Sequence, residues 1–141
     1  MLAALDAYLA TLYPPEANYL LDVQALLAPE VRFHVVRQDG KAVGTGAYRL
    51  QPGEPETAGQ AYGEIKRMYV EPALRGQRIA ERVLAQMEQG LRDEGITLAL
   101  LETGEEQTAA VRLYERSGYR RRGPFGGYPD NGLSVFFGKP L

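Results

Sequence analysis

The chain has 141 residues, no cysteine and a formal net charge of -2. This length corresponds to one domain, 1–141, and the lack of cysteine excludes disulfides, a cysteine nucleophile and a Cys-rich metal site. It also fits a reducing, cytoplasmic compartment. The slightly acidic balance argues against nucleic-acid binding, and the apolar runs are shorter than the roughly 20 residues that span a bilayer, so no membrane contact is expected.

The first part of the sequence predicts two helices and then a hairpin. Leucines recur at helical spacing over residues 2–13, and a second helix is predicted from Pro15 to just before Pro29. Two strands then flank Asp39-Gly40, a pair that favours a tight turn with positive φ. The polar segment 51–60 is predicted to be a loop.

The rest of the chain alternates between strands and helices. Two strand-to-helix units stand at its centre, and two short strands follow. The full order of elements predicts an α/β (α+β) fold, in which helices pack over a mixed sheet. These elements are strands at 62–70, 96–103, 119–122 and 133–138, and helices at 77–94 and 107–117.

The segment VEPALRGQRIAERVL, residues 70–84, joins the first of these strands to its helix. It places Gly76 between Arg75 and Arg78, just before the helix. The first amides of a helix have no partner inside the helix and point along its positive dipole, so a glycine turn there can cradle a phosphate. The alternative is an ordinary helix start with solvated arginines, and the turn alone does not decide between them.

With IKRMYV before this turn and ETGEEQTAAVRLYERSGY after it, the chain resembles the GNAT superfamily of N-acyltransferases from about Tyr62 to the C-terminus. The resemblance implies a mixed central sheet flanked by helices, with two central strands splayed apart. Most relatives begin with a strand before the first helix, whereas this sequence is expected to begin inside that helix, either because the strand is absent or because the chain is an abbreviated version. We expect the sheet edge left behind to be covered by a partner subunit, as in a homodimer.

The family signature for the acyl-CoA pyrophosphate is Gln or Arg, two residues, Gly, one residue, then Gly or Ala. Arg75 and Ala80 fill the first and last positions, and Arg78 stands where glycine is usual. We expect Arg78 to adopt a helical φ, so that its amide still donates to a phosphate. The resemblance assigns cofactor contacts to Met68, Tyr69 and Val70, to Arg75, Gly76, Gln77, Arg78, Ile79 and Ala80, and to Gln107 and Tyr114.

The second family block is a helix that ends in LYxxxGF or LYxxxGY, here Leu113 to Tyr119. The resemblance makes Tyr114 the general acid that protonates the leaving thiolate; its alternative is a packed helix tyrosine. Gln107 stands where asparagine is commoner, and its amide is expected to bind the pantetheine arm.

The identity of the general base stays open. An amine with a usual pKa of about 10.4 must lose its proton as it attacks, and a carboxylate can accept that proton directly or through water. Glu102 at the end of the inner strand and Glu64 on the neighbouring strand are the candidates, with water alone as the third. Strand alternation puts Glu64, Lys66, Met68 and Val70 on one face, where Glu64 and Lys66 can instead form a charge pair.

The sequence thus predicts an acetyl-CoA-dependent N-acetyltransferase without a metal, acting on a primary amine of a small molecule or peptide. Since cysteine is absent, transfer is expected to be direct, in a ternary complex. The alternative is a non-catalytic acyl-CoA-binding sensor or interaction module. A nucleotide-binding enzyme is disfavoured, because the Gly-Lys-Ser or Gly-Lys-Thr ending of a P-loop is missing.

Three other features are interpreted without a catalytic role. His34, the sole histidine, is predicted to be packed or hydrogen-bonded in a strand. The run Arg120-Arg121-Arg122 is interpreted as a solvated strand edge. Phe125 and Tyr128, set among glycines, are predicted to lie on a mobile rim beside the acceptor site, with a plain loop as the alternative.

Overall fold

The computed structural model describes residues 29–70, 72–74, 76–130 and 132–141. The two predicted N-terminal helices and the question of a missing first strand lie outside these residues. So does Arg75. No helix in the described part of the chain combines the length and the apolar content that a membrane span requires.

A mixed sheet of six strands forms the centre of the described structure, in the order β1-β2-β3-β4-β6-β5. The pair β3·β4 is parallel and the other pairs are antiparallel. The strands are β1 Val31–Gln38, β2 Lys41–Gln51, β3 Tyr62–Val70, β4 Leu98–Gly104, β5 Arg120–Arg122 and β6 Ser134–Pro140. Two helices, α1 Ile79–Asp93 and α2 Thr108–Arg116, and two short 3-10 turns, Pro55–Thr57 and Pro72–Leu74, complete the order.

The hairpin and the helix ends follow the local sequence. Asp39 and Gly40 both have positive φ between β1 and β2, as predicted. Gly95 ends α1: its amide donates to Arg92 and the next amide donates to Leu91, the paired bonds of a Schellman motif. The same two bonds close α2 around Gly118.

The two faces of the sheet carry different cores. Alternate strand residues such as Ile65 and Leu101 pack with both helices in the main core. The opposite face carries a smaller aromatic cluster, and its buried members come from β3, β4, β6 and the loop after β5. They are Tyr62, Leu100, Phe125 and Phe136.

A bulge in β3 corrects the predicted facing of its residues. Thr45 pairs with Tyr69 and Ala47 with Lys66, so β3 uses one residue more than β2 over this stretch. The extra residue turns Met68 and Val70 toward the helical core, where both pack. The prediction that they share the face of Glu64 and Lys66 is therefore wrong.

Candidate active site

The site lies where β3 and β4 part. Their parallel pairing consists of Gly63 with Ala99 and Glu64 with Leu100, although the strands continue to Val70 and Gly104. Each strand meanwhile stays paired with its outer neighbour to its end. The expected splay of two central strands is confirmed, and it opens a wedge at the carboxyl ends of these strands.

A cleft of about 920 Å³ occupies this wedge and runs between the first turn of α1 and helix α2. Most of the predicted cofactor contacts line it. Gln77 does not, and Arg75 lies outside the described residues. The predicted residues in its wall are Met68, Tyr69, Val70, Gly76, Arg78, Ile79, Ala80, Gln107 and Tyr114.

Further lining residues were missed by the sequence reasoning. They come from the first turn of α1, from the loop before α2 and from α2 itself. Leu113 and Arg116 fall inside the LYxxxGY block, and Ala110 lies one helical turn before Tyr114, so the block and the helical spacing were the available signals for these three. No motif marks the others. The further lining residues are Glu81, Glu106, Thr108, Ala109, Ala110, Leu113 and Arg116.

Arg78 does not have the helical φ that we expected. Its φ is 61° and its ψ is 24°, so it caps α1 from the left-handed region, and α1 begins at Ile79 rather than at 77. A residue with a Cβ adopts this conformation at a cost of about 1–2 kcal/mol, whereas glycine does not incur it. The glycine that is usual at this position in the family thus serves two purposes: it adopts the left-handed backbone without strain, and it leaves room for a phosphate to come close. Behind this turn, the first amides of α1 are left without helical partners.

Tyr114 lies in the cleft wall on α2 and is 7% exposed. Its ring packs 5.9 Å from the rings of both Tyr119 and Phe137. Burial raises the pKa of its phenol to about 12, because a phenolate would be poorly solvated there. Tyr114 is therefore a packed tyrosine that keeps its proton at neutral pH, as a general acid must.

A buried polar cluster fixes the far end of α2. Glu88 on α1 accepts hydrogen bonds from Tyr119 Oη at 2.9 Å and from Lys139 Nζ at 3.0 Å. Lys139 also donates to the carbonyl of Ser117, which ends α2, at 2.9 Å. Burial and then the charge of Glu88 raise the pKa of Tyr119. The cluster holds the two helices that form the cleft against each other and against β6.

Neither candidate base lines the cleft. Glu64 is 4% exposed on the aromatic face, where its Oε2 accepts from Tyr128 Oη at 2.5 Å and lies 3.6 Å from Lys66 Nζ. The predicted charge pair is confirmed. Glu102 Oε2 accepts from Ser134 Oγ at 2.5 Å. Burial, then the hydrogen bond to Glu64 and the charges of both glutamates, raise the pKa of Tyr128, so both carboxylates act on one phenol.

The loop after β5 differs from the prediction at Phe125, and the position of Tyr128 beside an acceptor site stays a prediction. Phe125 is a core residue, 1% exposed, whereas Tyr128 is half-buried beside it with a ring separation of 5.5 Å. Glu54, from the predicted loop 51–60, accepts from Gly126 N at 2.6 Å and from Tyr62 Oη at 3.0 Å. That loop therefore anchors the aromatic face, which its polar sequence did not indicate.

The interpretations of His34 and of the arginine run are confirmed. His34 is half-buried, its Nδ1 lies 3.0 Å from Gln86 Nε2, and its ring packs against that of Tyr48 with 5.5 Å between the centroids and a tilt of 33°. Burial lowers the pKa of its imidazole. The run Arg120-Arg121-Arg122 forms β5 at the edge of the described sheet, mostly exposed.

Comparison with known proteins agrees with this geometry. Residues 2–119 match the acetyltransferase (GNAT) family. The chain is 45% identical over its whole length to an IAA acetyltransferase of Azospirillum brasilense, covering 88% of that protein.

Solved structures share the fold. A Klebsiella pneumoniae protein assigned to the acyl-CoA N-acyltransferases is 38% identical, with a TM-score of 0.70 over 99% of this chain and 86% of that one. The PaiA N-acetyltransferase of Thermoplasma acidophilum, solved with coenzyme A, has a TM-score of 0.67 at 14% identity, over 94% of this chain and 82% of that one. The latter likeness shows the fold alone. The chain thus belongs to the acetyltransferase (GNAT) family and is an acetyl-CoA-dependent N-acetyltransferase.

Proposed function

We propose that acetyl-CoA enters the cleft between α1 and α2 and that its acetyl group passes through the wedge to a primary amine of a small molecule or peptide. The observation that supports this proposal most directly is that the pairing of β3 with β4 stops after Glu64 and Leu100. The separation of the two strands opens the cleft beside Tyr114. The donor contributes a thioester, and the chain contributes binding, orientation and proton transfer.

The residues present fit a donor that carries phosphates. The first turn of α1 offers unpartnered amides and the positive end of a helix dipole, and Gly76, with φ of 92°, shapes the turn before it. We assign the pyrophosphate to this turn, from Arg75 to Ala80. The pantetheine arm then lies along Met68, Tyr69 and Val70 and beside Gln107 at the start of α2.

Tyr114 is assigned as the general acid. A leaving thiolate requires a proton, and a phenol with a pKa near 12 is protonated at any pH at which the amine reacts. Its place in the cleft wall supports this role, because the donor is assigned to the same cleft. Because the chain has no cysteine, the amine attacks the thioester directly.

Glu102 is the better candidate for the base. The carboxylate of Glu64 is already balanced by the Tyr128 hydroxyl and by Lys66, which makes its negative charge less available to a substrate proton. Glu102 is half-buried and lies on β4 beyond the point where β3 and β4 separate. It accepts a hydrogen bond from the neutral hydroxyl of Ser134. Glu102→Gln should lower turnover in a thiol-release assay with saturating acetyl-CoA and amine, because the proton acceptor is lost, and Glu64→Gln is the matched control. A loss of turnover in Glu64→Gln with none in Glu102→Gln would reverse the assignment.

The acceptor is assigned from the aromatic face. The carboxylate of Glu102 beside the rings of Tyr128 and Phe136 favours a substrate that arrives as a cation, since opposite charge and aromatic rings both attract an ammonium group. The name of the Azospirillum relative supports a small-molecule acceptor. The homodimer and the cytoplasmic location remain predictions, which sedimentation velocity and cell fractionation would test.

The test has two stages. Calorimetric titration with CoA asks whether the cleft binds the donor, and thiol release across a panel of cationic and neutral amines then asks whether acetyl transfer occurs. Binding with turnover for cationic amines is expected. Binding without turnover on any amine would favour the sensor alternative, and no binding would overturn the assignment of the cleft.

A further inference from the structure

Two side chains of opposite charge meet across the cleft. Glu81 stands in the first turn of α1, and Arg116 is the last residue of α2. Arg116 Nη2 donates to Glu81 Oε1 at 3.4 Å, and both residues line the cleft. Their bond spans the space between the two helices.

The ion pair between Glu81 and Arg116 is weak enough for another anion to replace Glu81. The Arg116 side chain is 59% exposed and that of Glu81 is 29% exposed. An ion pair in contact with solvent contributes little to stability, and here the distance lies at the long end of a hydrogen bond. A stronger anion that enters the cleft can therefore take over the guanidinium at small cost.

Glu81 also stands at the place where an anion is most favoured. A carboxylate in the first turn of a helix interacts well with the positive end of the helix dipole. The phosphates of the donor are assigned to the same helix end. Glu81 thus competes with them twice, for the dipole and for Arg116.

We infer that Arg116 passes from Glu81 to a phosphate of the bound donor, and that Glu81 sets the donor affinity by competing for it. The inference rests on the proposed binding of acetyl-CoA in this cleft. The donor carries two kinds of phosphate, the pyrophosphate and the 3′-phosphate, and either can receive the guanidinium. A bidentate contact of arginine with phosphate is stronger than its exposed contact with a carboxylate.

Arg112 provides the control. It lies one turn before Arg116 on α2, is exposed, and is not among the residues of the cleft wall. Arg112→Ala removes the same charge from the same helix, so any general effect of net charge on an anionic ligand appears in both variants.

The experiment is calorimetric titration of the full chain with CoA and with 3′-dephospho-CoA. We expect Arg116→Ala to weaken CoA binding about fivefold or more, Arg112→Ala to change it by less than about twofold, and Glu81→Gln to tighten it about two- to fivefold. In the Glu81→Gln background, Arg116→Ala should cost at least as much as in the wild type, because the arginine then serves the phosphate alone. If Arg116→Ala weakens the binding of both compounds, the guanidinium contacts the pyrophosphate. If it weakens the binding of CoA alone, the guanidinium contacts the 3′-phosphate.

Two results would overturn the inference. One is an Arg116→Ala variant that binds CoA no more weakly than Arg112→Ala. The other is a Glu81→Gln variant whose affinity does not rise. If the wild-type protein itself binds neither compound, the assignment of the cleft to acetyl-CoA is what fails, so the two failures are distinguishable. Far-UV circular dichroism checks that each variant keeps the fold.

Discussion

Replacing Arg78 tests the left-handed backbone at the start of α1. The residue is exposed, caps the helix without a side-chain hydrogen bond, and has φ of 61°. In this region a residue with a Cβ destabilises the folded state by about 1–2 kcal/mol, a cost that glycine avoids. Glycine in turn lowers stability by about 0.4–1 kcal/mol, because it gives the unfolded chain more conformational entropy. Arg78→Gly should therefore be more stable than Arg78→Ala by about 0.5–1 kcal/mol.

The sign of this difference is decisive. If Arg78 had a helical φ, glycine would be less stable than alanine by about 1 kcal/mol. The free energy of unfolding of both variants is measured by urea denaturation followed by circular dichroism, with m-values compared to exclude a change in the unfolded state. Ala80→Gly, inside the first turn of α1, is the control and should lower stability. An Arg78→Ala variant as stable as Arg78→Gly would refute the left-handed assignment.

Three further predictions address the phenol, the packing and the alkaline limit. Tyr114→Phe should lower turnover about 10- to 100-fold and leave CoA affinity within about twofold, because the ring stays packed and only the proton donor is lost; unchanged turnover in a thiol-release assay would remove Tyr114 from its role. Gly63→Ala should lower the free energy of unfolding by about 1–3 kcal/mol, because the new Cβ would lie 2.3 Å from Cδ2 of the buried Leu91, whereas Gly123→Ala, with no atom within 4 Å, should have little effect; similar urea midpoints for the two would contradict this packing. Since burial raises the pKa of Tyr114 from 10.0 to about 12, the folded protein holds that proton more tightly than the unfolded chain, so its contribution is complete below pH 10.0 and is lost toward about pH 12. Stability should fall over that range, with a smaller slope in Tyr114→Phe, and an equal slope would show that the phenol is not buried.

Local signals account for the parts of the fold that could be predicted. Strand β3 was predicted with its observed bounds, because a polar, glycine-containing loop and a proline segment delimit it. The hairpin turn and the caps at Gly95 and Gly118 follow from residues that accept positive φ. The bulge in β3 could not be predicted, because an extra residue in one strand leaves the alternation of its neighbours looking regular. Arg78 misled the prediction, since its residue type disfavours the backbone that the fold imposes on it.

In the candidate site, too, features within a short stretch of sequence could be predicted and contacts between distant residues could not. The turn and the LYxxxGY block identified most of the cleft, because each lies within a short stretch of sequence. The pair Glu81–Arg116 and the bond between Glu88 and Lys139 join positions 35 and 51 residues apart, which no local pattern connects. Glu88 did carry a signal: a carboxylate among the buried apolar residues of α1 requires a partner, although the sequence does not say which.

Glu54 has a consequence for how acceptor preference can change. By holding Gly126 and Tyr62, it links the connection before β3 to the loop that presents Tyr128 to Glu64. A substitution in residues 52–60 can therefore shift that loop without contacting a substrate. In directed evolution toward a new amine, libraries confined to the aromatic face would leave out residues 52–60. We expect productive variants to include changes in that segment.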